Sequence, residues 1–361
     1  SPTHAHYEHH LDIVKDKYVL RSVIQHCTEA ITRAYDDQEE VEQLLDNVES
    51  QVLAIREGAE RNKEETIADH MKTVIANFEA FIHRDEDSRG LLTGYSEIDK
   101  MSNGLKPGEM FIIAARPSMG KTSFAMNLVE HFCLDLNLPA MVFSLEMGAF
   151  QLVERLLYAR ARFDKSKVMK GFEPTKSDFL GIKRASEEIK DCKLFIDDTP
   201  GISINELRAK ARRKKKEEDI KVIAIDYLQL MRSNSKQAQN SREREVAEIS
   251  AGLKGLAKEL DIPIIVLAQL NRGPESRVGS SGGGGKPRMS DLRESGSIEQ
   301  DADMVMFIYR PEYYEITEDA EGNSTVGLTE IIVAKHRNGA LENVPLRFEG
   351  KYGRFVDWEQ D

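Results

Sequence analysis

The sequence predicts an α/β fold in which a mostly parallel sheet is flanked by helices and preceded by an all-helical segment. Three observations carry that reading. Apolar runs of strand length recur from Met110 onward, and helical patterns separate most of the early ones. Several runs are apolar on both faces, as a parallel sheet covered by helices requires. Finally, Phe111-Ile112-Ile113-Ala114-Ala115 leads directly into Arg116-Pro117-Ser118-Met119-Gly120-Lys121-Thr122-Ser123 and then a helical pattern opening with Phe124. Strand, turn and helix in that order are the context of a phosphate-binding loop.

Composition sets the outer limits. The chain of 361 residues, 40% apolar and 31% charged, is long enough for about two domains. Its uninterrupted apolar runs are strand-sized, so no membrane-spanning helix is expected. Ser1-Pro2-Thr3-His4 offers neither the charged region nor the apolar region of a secretory signal. Cys27, Cys133 and Cys192 are scattered without metal or disulfide spacing, which fits a reduced cytoplasmic protein. A net charge of -12 excludes a surface that coats nucleic acid all over, so any such contact must be local.

Taken in order, residues 1–57 read as two amphipathic helices in antiparallel contact. One stripe is Leu11, Val14, Tyr18, Ile24, Cys27, Ile31 and Ala34; the other is Val41, Leu44, Leu45, Val48, Val52 and Ile55. His4, His6, His9 and His10 cluster near the start but lack a carboxylate or Cys framework, and no metal is assigned to them. Residues 58–90 form a linker. It opens with a polar run around Gly58 and carries a third helix with Ile67, Met71, Val74, Ile75, Phe78, Phe81 and Ile82 on one face. That stripe must be buried against its own domain or a neighbouring subunit.

Residues 91–361 hold the alternating pattern. Lys106-Pro107-Gly108-Glu109 is a turn, with proline and glycine where their backbone angles suit. Strands are expected at 110–115, 140–146, 193–197, 222–228, 262–269, 304–309 and 328–335, with a final pair near 344–348 and 354–358. The late strands lie close together in sequence and should make an antiparallel edge.

The loop at 118–123 supplies backbone N–H groups and a helix N-terminus to a polyphosphate, Lys121 to its β/γ-phosphates and Thr122 to Mg²⁺. Ala115 stands where the first glycine of the consensus is expected. The apolar run Val222-Ile223-Ala224-Ile225 ends in Asp226, a Walker B arrangement and a second candidate metal ligand. Glu146 closes the 140–146 strand, expected beside the phosphate-loop strand, where its carboxylate can polarise an attacking water. Gln269 ends another buried strand and can sense a γ-phosphate. Lys335 and Arg337 alternate at a strand end, so they share a face, and are candidates for a charge-stabilising finger acting on a neighbour's nucleotide.

Two polar loops leave the neighbouring strand ends. Residues 232–242 follow Walker B directly. Residues 271–293 are rich in Gly and Ser and carry five basic side chains, Arg272, Arg277, Lys286, Arg288 and Arg293, against Glu275 and Asp291. Both are placed to couple hydrolysis to a polyanion. The run Arg212-Arg213-Lys214-Lys215-Lys216 is flanked by Glu206 and by Glu217-Glu218-Asp219, and reads as one solvated helix rather than a nucleic-acid site.

These motifs can be matched to a family. Residues 114–122, Ser144-Leu145-Glu146-Met147, Ile225 to Met231, Ala268-Gln269-Leu270-Asn271-Arg272, Asp291 to Asp303 and Lys335-His336-Arg337-Asn338-Gly339 resemble, in order, the bacterial replicative DNA helicase of the DnaB family. Ala115 is a habit of that family. The resemblance implies a RecA-like ATPase core using ATP and Mg²⁺, a homohexameric ring with ATP at subunit interfaces, and 5′→3′ movement on single-stranded DNA. It also implies that Arg293, Glu294 and Gly296 face DNA phosphates, that Lys335 and Arg337 enter the neighbour's ATP site, and that the linker helix docks on the adjacent subunit. Primase and a helicase loader are implied partners, in the bacterial cytoplasm at the nucleoid. The family begins with a complete helical N-terminal domain, whereas this chain is expected to begin part-way through it. A RecA-like recombination or repair ATPase is the runner-up, but it normally spells its phosphate loop differently and lacks the 291–303 block. A nucleotide-dependent assembly scaffold would not need both Glu146 and Arg337.

Overall fold

A computed structural model describes residues 4–35, 89–233, 241–277, 285–292, 296–318 and 322–358, with scattered helical positions between 44 and 75. Nine strands form one sheet: β1 (Met110–Ala115), β2 (Ala140–Ser144), β3 (Leu194–Asp197), β4 (Val222–Asp226), β5 (Ile264–Gln269), β6 (Met304–Tyr309), β7 (Leu328–His336), β8 (Asn343–Glu349) and β9 (Arg354–Asp357). Their spatial order is β3-β2-β4-β5-β1-β6-β7-β8-β9. From β3 to β6 the strands pair in parallel; from β6 to β9 they are antiparallel. The expected antiparallel edge is therefore present.

Burial follows from the side-chain alternation of a strand. Every residue of β1, β2, β4 and β6 is buried. In β1, Phe111 and Ile113 pack on one face with Phe124 and Leu128, while Met110, Ile112 and Ala114 pack on the other with Val246, Ile249 and Leu253. Strands β7 and β8 instead alternate buried and more exposed positions, as antiparallel strands with one covered face do.

One expectation about the sheet is corrected. Strand β2 does not lie beside β1: β4 and β5 stand between them. Order along the chain does not fix order across a sheet built by helical crossovers, and two strands that are buried on both faces took the central places. Strand β3, only half-buried along its length, takes the edge.

Helix α1 (His4–Tyr35) covers the first expected helix. Val14, Tyr18, Ile24 and Ile31 on it are each more than half exposed. Its expected antiparallel partner falls mostly outside the described residues, as do Phe78 and Phe81 of the linker helix. Internal contacts divide the chain into Ser1–Asp85 and Glu86–Asp361. In the second unit, helices α2 (Ser96–Ser102), α3 (Lys121–Glu130), α4 (Ala149–Ala161), α5 (Lys165–Met169), α6 (Lys176–Lys190), α7 (Ile204–Glu218), α8 (Arg242–Leu260), α9 (Gly273–Ser276) and α10 (Gly296–Asp301) accompany the sheet. Among the described residues, no helix is long and apolar enough to cross a membrane.

Candidate active site

Strand β1 stays extended through Ala115, and the turn begins only after it. Ala115 is 1% exposed and is not among the residues with positive φ, so the position asks nothing of its backbone that alanine cannot give. Gly120 is different: its φ is +93°, and a Cβ there would stand 2.9 Å from Phe355 Cζ. Glycine is needed at 120 for both reasons. Residue 121 then starts α3, which leaves its first N–H groups facing the turn.

A cleft of about 410 Å³ lies over this turn, lined among others by Ser118, Lys121, Thr122, Glu146, Arg155 and Gln269. Gly120 and Ser123 also line it, whereas the Met119 side chain is buried in the core and its N–H donates to Arg116 O at 3.3 Å. Directly beneath, the Thr122 hydroxyl donates to Asp226 Oδ2 at 2.6 Å, and Lys121 Nζ stands 3.4 Å from Asp226 Oδ1. Lys121 also lies 4.0 Å above the Tyr227 ring. Burial pulls the Lys121 ammonium down from its usual range, and the carboxylates of Asp226 and Glu146 pull against that shift. Asp226 is 4% exposed, and its Oδ1 accepts no hydrogen bond. A buried carboxylate oxygen without a hydrogen-bond donor, next to a hydroxyl, is the hard-oxygen donor set that Mg²⁺ takes alongside phosphate and water. The residues fit the ion.

Glu146 reaches the cleft although its strand is not adjacent to β1. Strand β2 ends at Ser144, in register with Asp226, and the chain then bends: Leu145 N donates to Asp226 O at 2.6 Å and Ser144 Oγ to Met147 O at 2.6 Å. Glu146 is left exposed, two residues past the strand. The end of β5 is held by Gln229, whose amide donates to Gln269 O at 3.2 Å and accepts from Gln269 N at 3.3 Å. Sequence reasoning missed Gln229 and Arg155. Gln229 follows Walker B closely enough to have been considered; Arg155 is one arginine on a helix, and nothing local marks it.

Lys335 and Arg337 lie elsewhere. Lys335 Nζ donates to Glu299 O at 2.5 Å and Ala302 O at 2.7 Å, and Arg337 donates to Gln300 O at 2.5 Å and Asp303 Oδ1 at 3.3 Å. Both cations thus cap the C-terminal end of α10, where free carbonyls favour positive charge. Asp303 also accepts from Met110 N at 2.8 Å, at the start of β1. The phosphate loop begins at the other end of that strand, a span of roughly 17 Å at about 3.3 Å per residue. The two cations do share a region, as expected, but not with their own cleft. Gly296 opens α10, while Arg293 and Glu294 lie outside the described residues. On α7, Arg212 pairs with Glu259 and Lys215 with Asp219, in keeping with a solvated helix.

Comparison with known proteins agrees with this architecture. The family model for the DnaB-like helicase C terminal domain matches residues 90–357. The chain is 39% identical over 359 residues to the replicative DNA helicase DnaC of Bacillus subtilis (strain 168), covering 99% of this chain and 76% of that one. The chain belongs to the DnaB-like replicative helicase family. Another member, DnaB of Geobacillus stearothermophilus, is 38% identical over the same shares of both chains. A solved structure described as a DnaB-like replicative helicase and its interactions with primase superposes with a TM-score of 0.78 at 30% identity, over 99% of this chain and 80% of that one. The sheet around β1 is accordingly the RecA-like core of an ATP-dependent DNA helicase.

Proposed function

We propose that this chain works as a homohexameric ring that hydrolyses ATP with Mg²⁺ at its subunit interfaces, moving 5′→3′ on single-stranded DNA and parting the duplex at the replication fork. One observation carries the reading: the phosphate loop, Glu146 and Gln269 gather at the C-terminal ends of the parallel strands, while Lys335 and Arg337 sit at the opposite end, beside the start of β1. A site that needs both sets is completed only by a neighbour in a head-to-tail arrangement, and head-to-tail contacts that close make a ring.

Within the cleft, backbone N–H groups of 118–123 hold the phosphates and Lys121 leaves Asp226 to meet the β/γ-phosphates. Thr122 and Asp226 would hold Mg²⁺, which would supply positive charge to offset that of the phosphates. Glu146 takes the proton of the attacking water, Gln269 senses the γ-phosphate, and the neighbour's Arg337 and Lys335 stabilise the charge of the transition state. The segment with Arg293, Glu294 and Gly296 faces DNA phosphates. By domain, residues 1–57 are a helical N-terminal segment, 58–90 the linker, and 91–361 the motor. The linker stripe fits an apolar receptor on the next subunit's motor, where Phe150, Met169, Phe172, Phe179 and Leu180 are all exposed. Primase and a loader are its partners in the cytoplasm.

The test is ATP turnover with and without single-stranded DNA, measured alongside oligomer mass. A hexamer whose turnover rises with DNA and vanishes in Lys121→Ala is expected. A monomer with full turnover would overturn the shared-site reading.

A further inference from the structure

Arg116 is the first residue after β1 and belongs to the phosphate loop. It is 8% exposed, and it spends its guanidinium on the segment that follows β5: Nε donates to Glu275 Oε1 at 2.9 Å, Nη2 to the same oxygen, and Nη1 to Leu270 O at 2.6 Å. Glu275 lies on the short helix α9, and two residues further Arg277 makes a bidentate pair. Its Nη1 and Nη2 donate to Asp291 Oδ1 and Oδ2 at 3.0 and 2.5 Å. Asp291 is 3% exposed and also accepts from Arg288 N at 2.7 Å, while its own carbonyl accepts from Asn271 N at 3.0 Å. The segments 271–277 and 285–292 are thereby tied together. Arg293 follows Asp291 by two residues.

The phosphate loop and the base of the polar segment are thus joined by two arginine–carboxylate pairs in series, within one subunit. Planar forks hold orientation as well as distance, so a shift of the loop backbone on binding phosphates is carried to Asp291 rather than lost in a flexible contact. We propose that Glu275 is a positioning residue that couples nucleotide occupancy to single-strand affinity, through Arg116 on one side and the Arg277–Asp291 pair on the other. The assignment rests on the reading of 293–296 as DNA-facing. Glu275 itself touches neither phosphate nor DNA, and its side chain is 41% exposed, so removing it leaves no buried cavity.

Coupling between two ligands is reciprocal and typically amounts to about 5- to 150-fold in affinity. The experiment measures anisotropy of a labelled oligothymidine with the intact oligomer, with and without Mg²⁺ and a non-hydrolysable ATP analogue. Glu275→Ala should bring the ratio of the two affinities close to one while DNA-free turnover and its KM stay at the parent's values, with a lower melting temperature because the nearly buried Arg116 loses its carboxylate. Glu275→Gln, whose amide oxygen still accepts from Arg116, should keep part of the ratio, a gradation that loss of fold would not produce. If parent and Glu275→Ala respond to the analogue equally, the Glu275 assignment is overturned and the DNA reading stands. If even the parent binds no oligothymidine, both fall together.

Discussion

Gly120 offers the most direct test of how firmly the phosphate loop is built. Replacing it by alanine imposes two costs. At φ +93° an L-residue meets its own backbone, which costs roughly 1–2 kcal/mol. The new Cβ would also stand 2.9 Å from Phe355 Cζ and 3.3 Å from Cε2. The Phe355 ring is not free to retreat, because it packs edge-on against Phe124 at 5.2 Å and against Phe348 at 4.6 Å, and it is 3% exposed. Overpacking of this kind costs about 1–3 kcal/mol. Together the loss is roughly 2–5 kcal/mol, which at about 2 °C per kcal/mol for a unit of this size lowers the melting temperature by about 4–10 °C. Calorimetry without nucleotide reads it. Phe355→Leu, added to Gly120→Ala, should recover the steric part but not the backbone part. The contrasting control is Ala115→Gly: restoring the consensus glycine inside a buried strand should cost roughly 0.5–1 kcal/mol and improve nothing. A Gly120→Ala protein that melts with the parent would refute the claim that Phe355 fixes this turn.

The other expectations are simpler to state. Glu146→Gln should bind nucleotide as the parent does and fail to hydrolyse it, because the amide keeps the shape but takes no proton; parent-level turnover would remove Glu146 from the role of base. Burial lowers the Lys121 pKa, so between that lowered value and 10.5 the unfolded chain holds more protons than the folded one, and stability rises with pH across that alkaline window. Denaturant titrations at several pH values should show this slope in the parent and not in Lys121→Met. Arg337→Ala and Lys121→Ala should each be nearly inactive, a finger being worth about 10³–10⁵ in rate, yet rings reassembled from the mixture should regain turnover where an Arg337→Ala pocket meets a Lys121→Ala neighbour. Mixed rings, verified by mass, that remain inactive would count against a finger supplied in trans. Replacing both Phe78 and Phe81 by Ser should dissociate the oligomer, and an unchanged mass in light scattering would place that stripe within its own subunit.

What the sequence made legible is what periodicity and short-range motifs encode. Strands β1 and β6 have the bounds expected of them, and the other strands differ only at their ends, because an apolar run marks a buried strand whatever its neighbours are. Lys121, Thr122 and Asp226 meet as expected, since a strand–turn–helix and a strand end are local patterns and parallel pairing brings their C-terminal ends to one side. Neighbour relations were less legible. The place of β2 depended on which strands β4 and β5 chose to pair with, and Glu146 reaches the cleft only because the chain bends after Ser144. Arg155 and the Arg116–Glu275 contact join positions far apart in sequence, and a single charged residue on a helix looks the same whether or not it faces a cleft.

The position of α10 gives these pieces a common direction. Its N-terminus follows the segment read as DNA-facing, and its C-terminal carbonyls are held by Lys335 and Arg337. Its last residue, Asp301, accepts from the buried Ser250 on α8 at 2.7 Å. At about 1.5 Å per residue the helix is roughly 9 Å long, short enough to move as one piece. For Arg337 to act on a neighbour's nucleotide it must give up Gln300 O and Asp303, which exposes the helix end that it was capping. A pull on the DNA-facing segment at the other end of α10 therefore changes the cost of releasing the finger, and the release changes how firmly that segment is held. Under the proposed function, Asp291 and α10, which flank that segment in sequence, connect to the subunit's own phosphate loop and to the finger offered to the next. That is the arrangement a ring needs if hydrolysis at one interface is to be felt by DNA before the next interface fires.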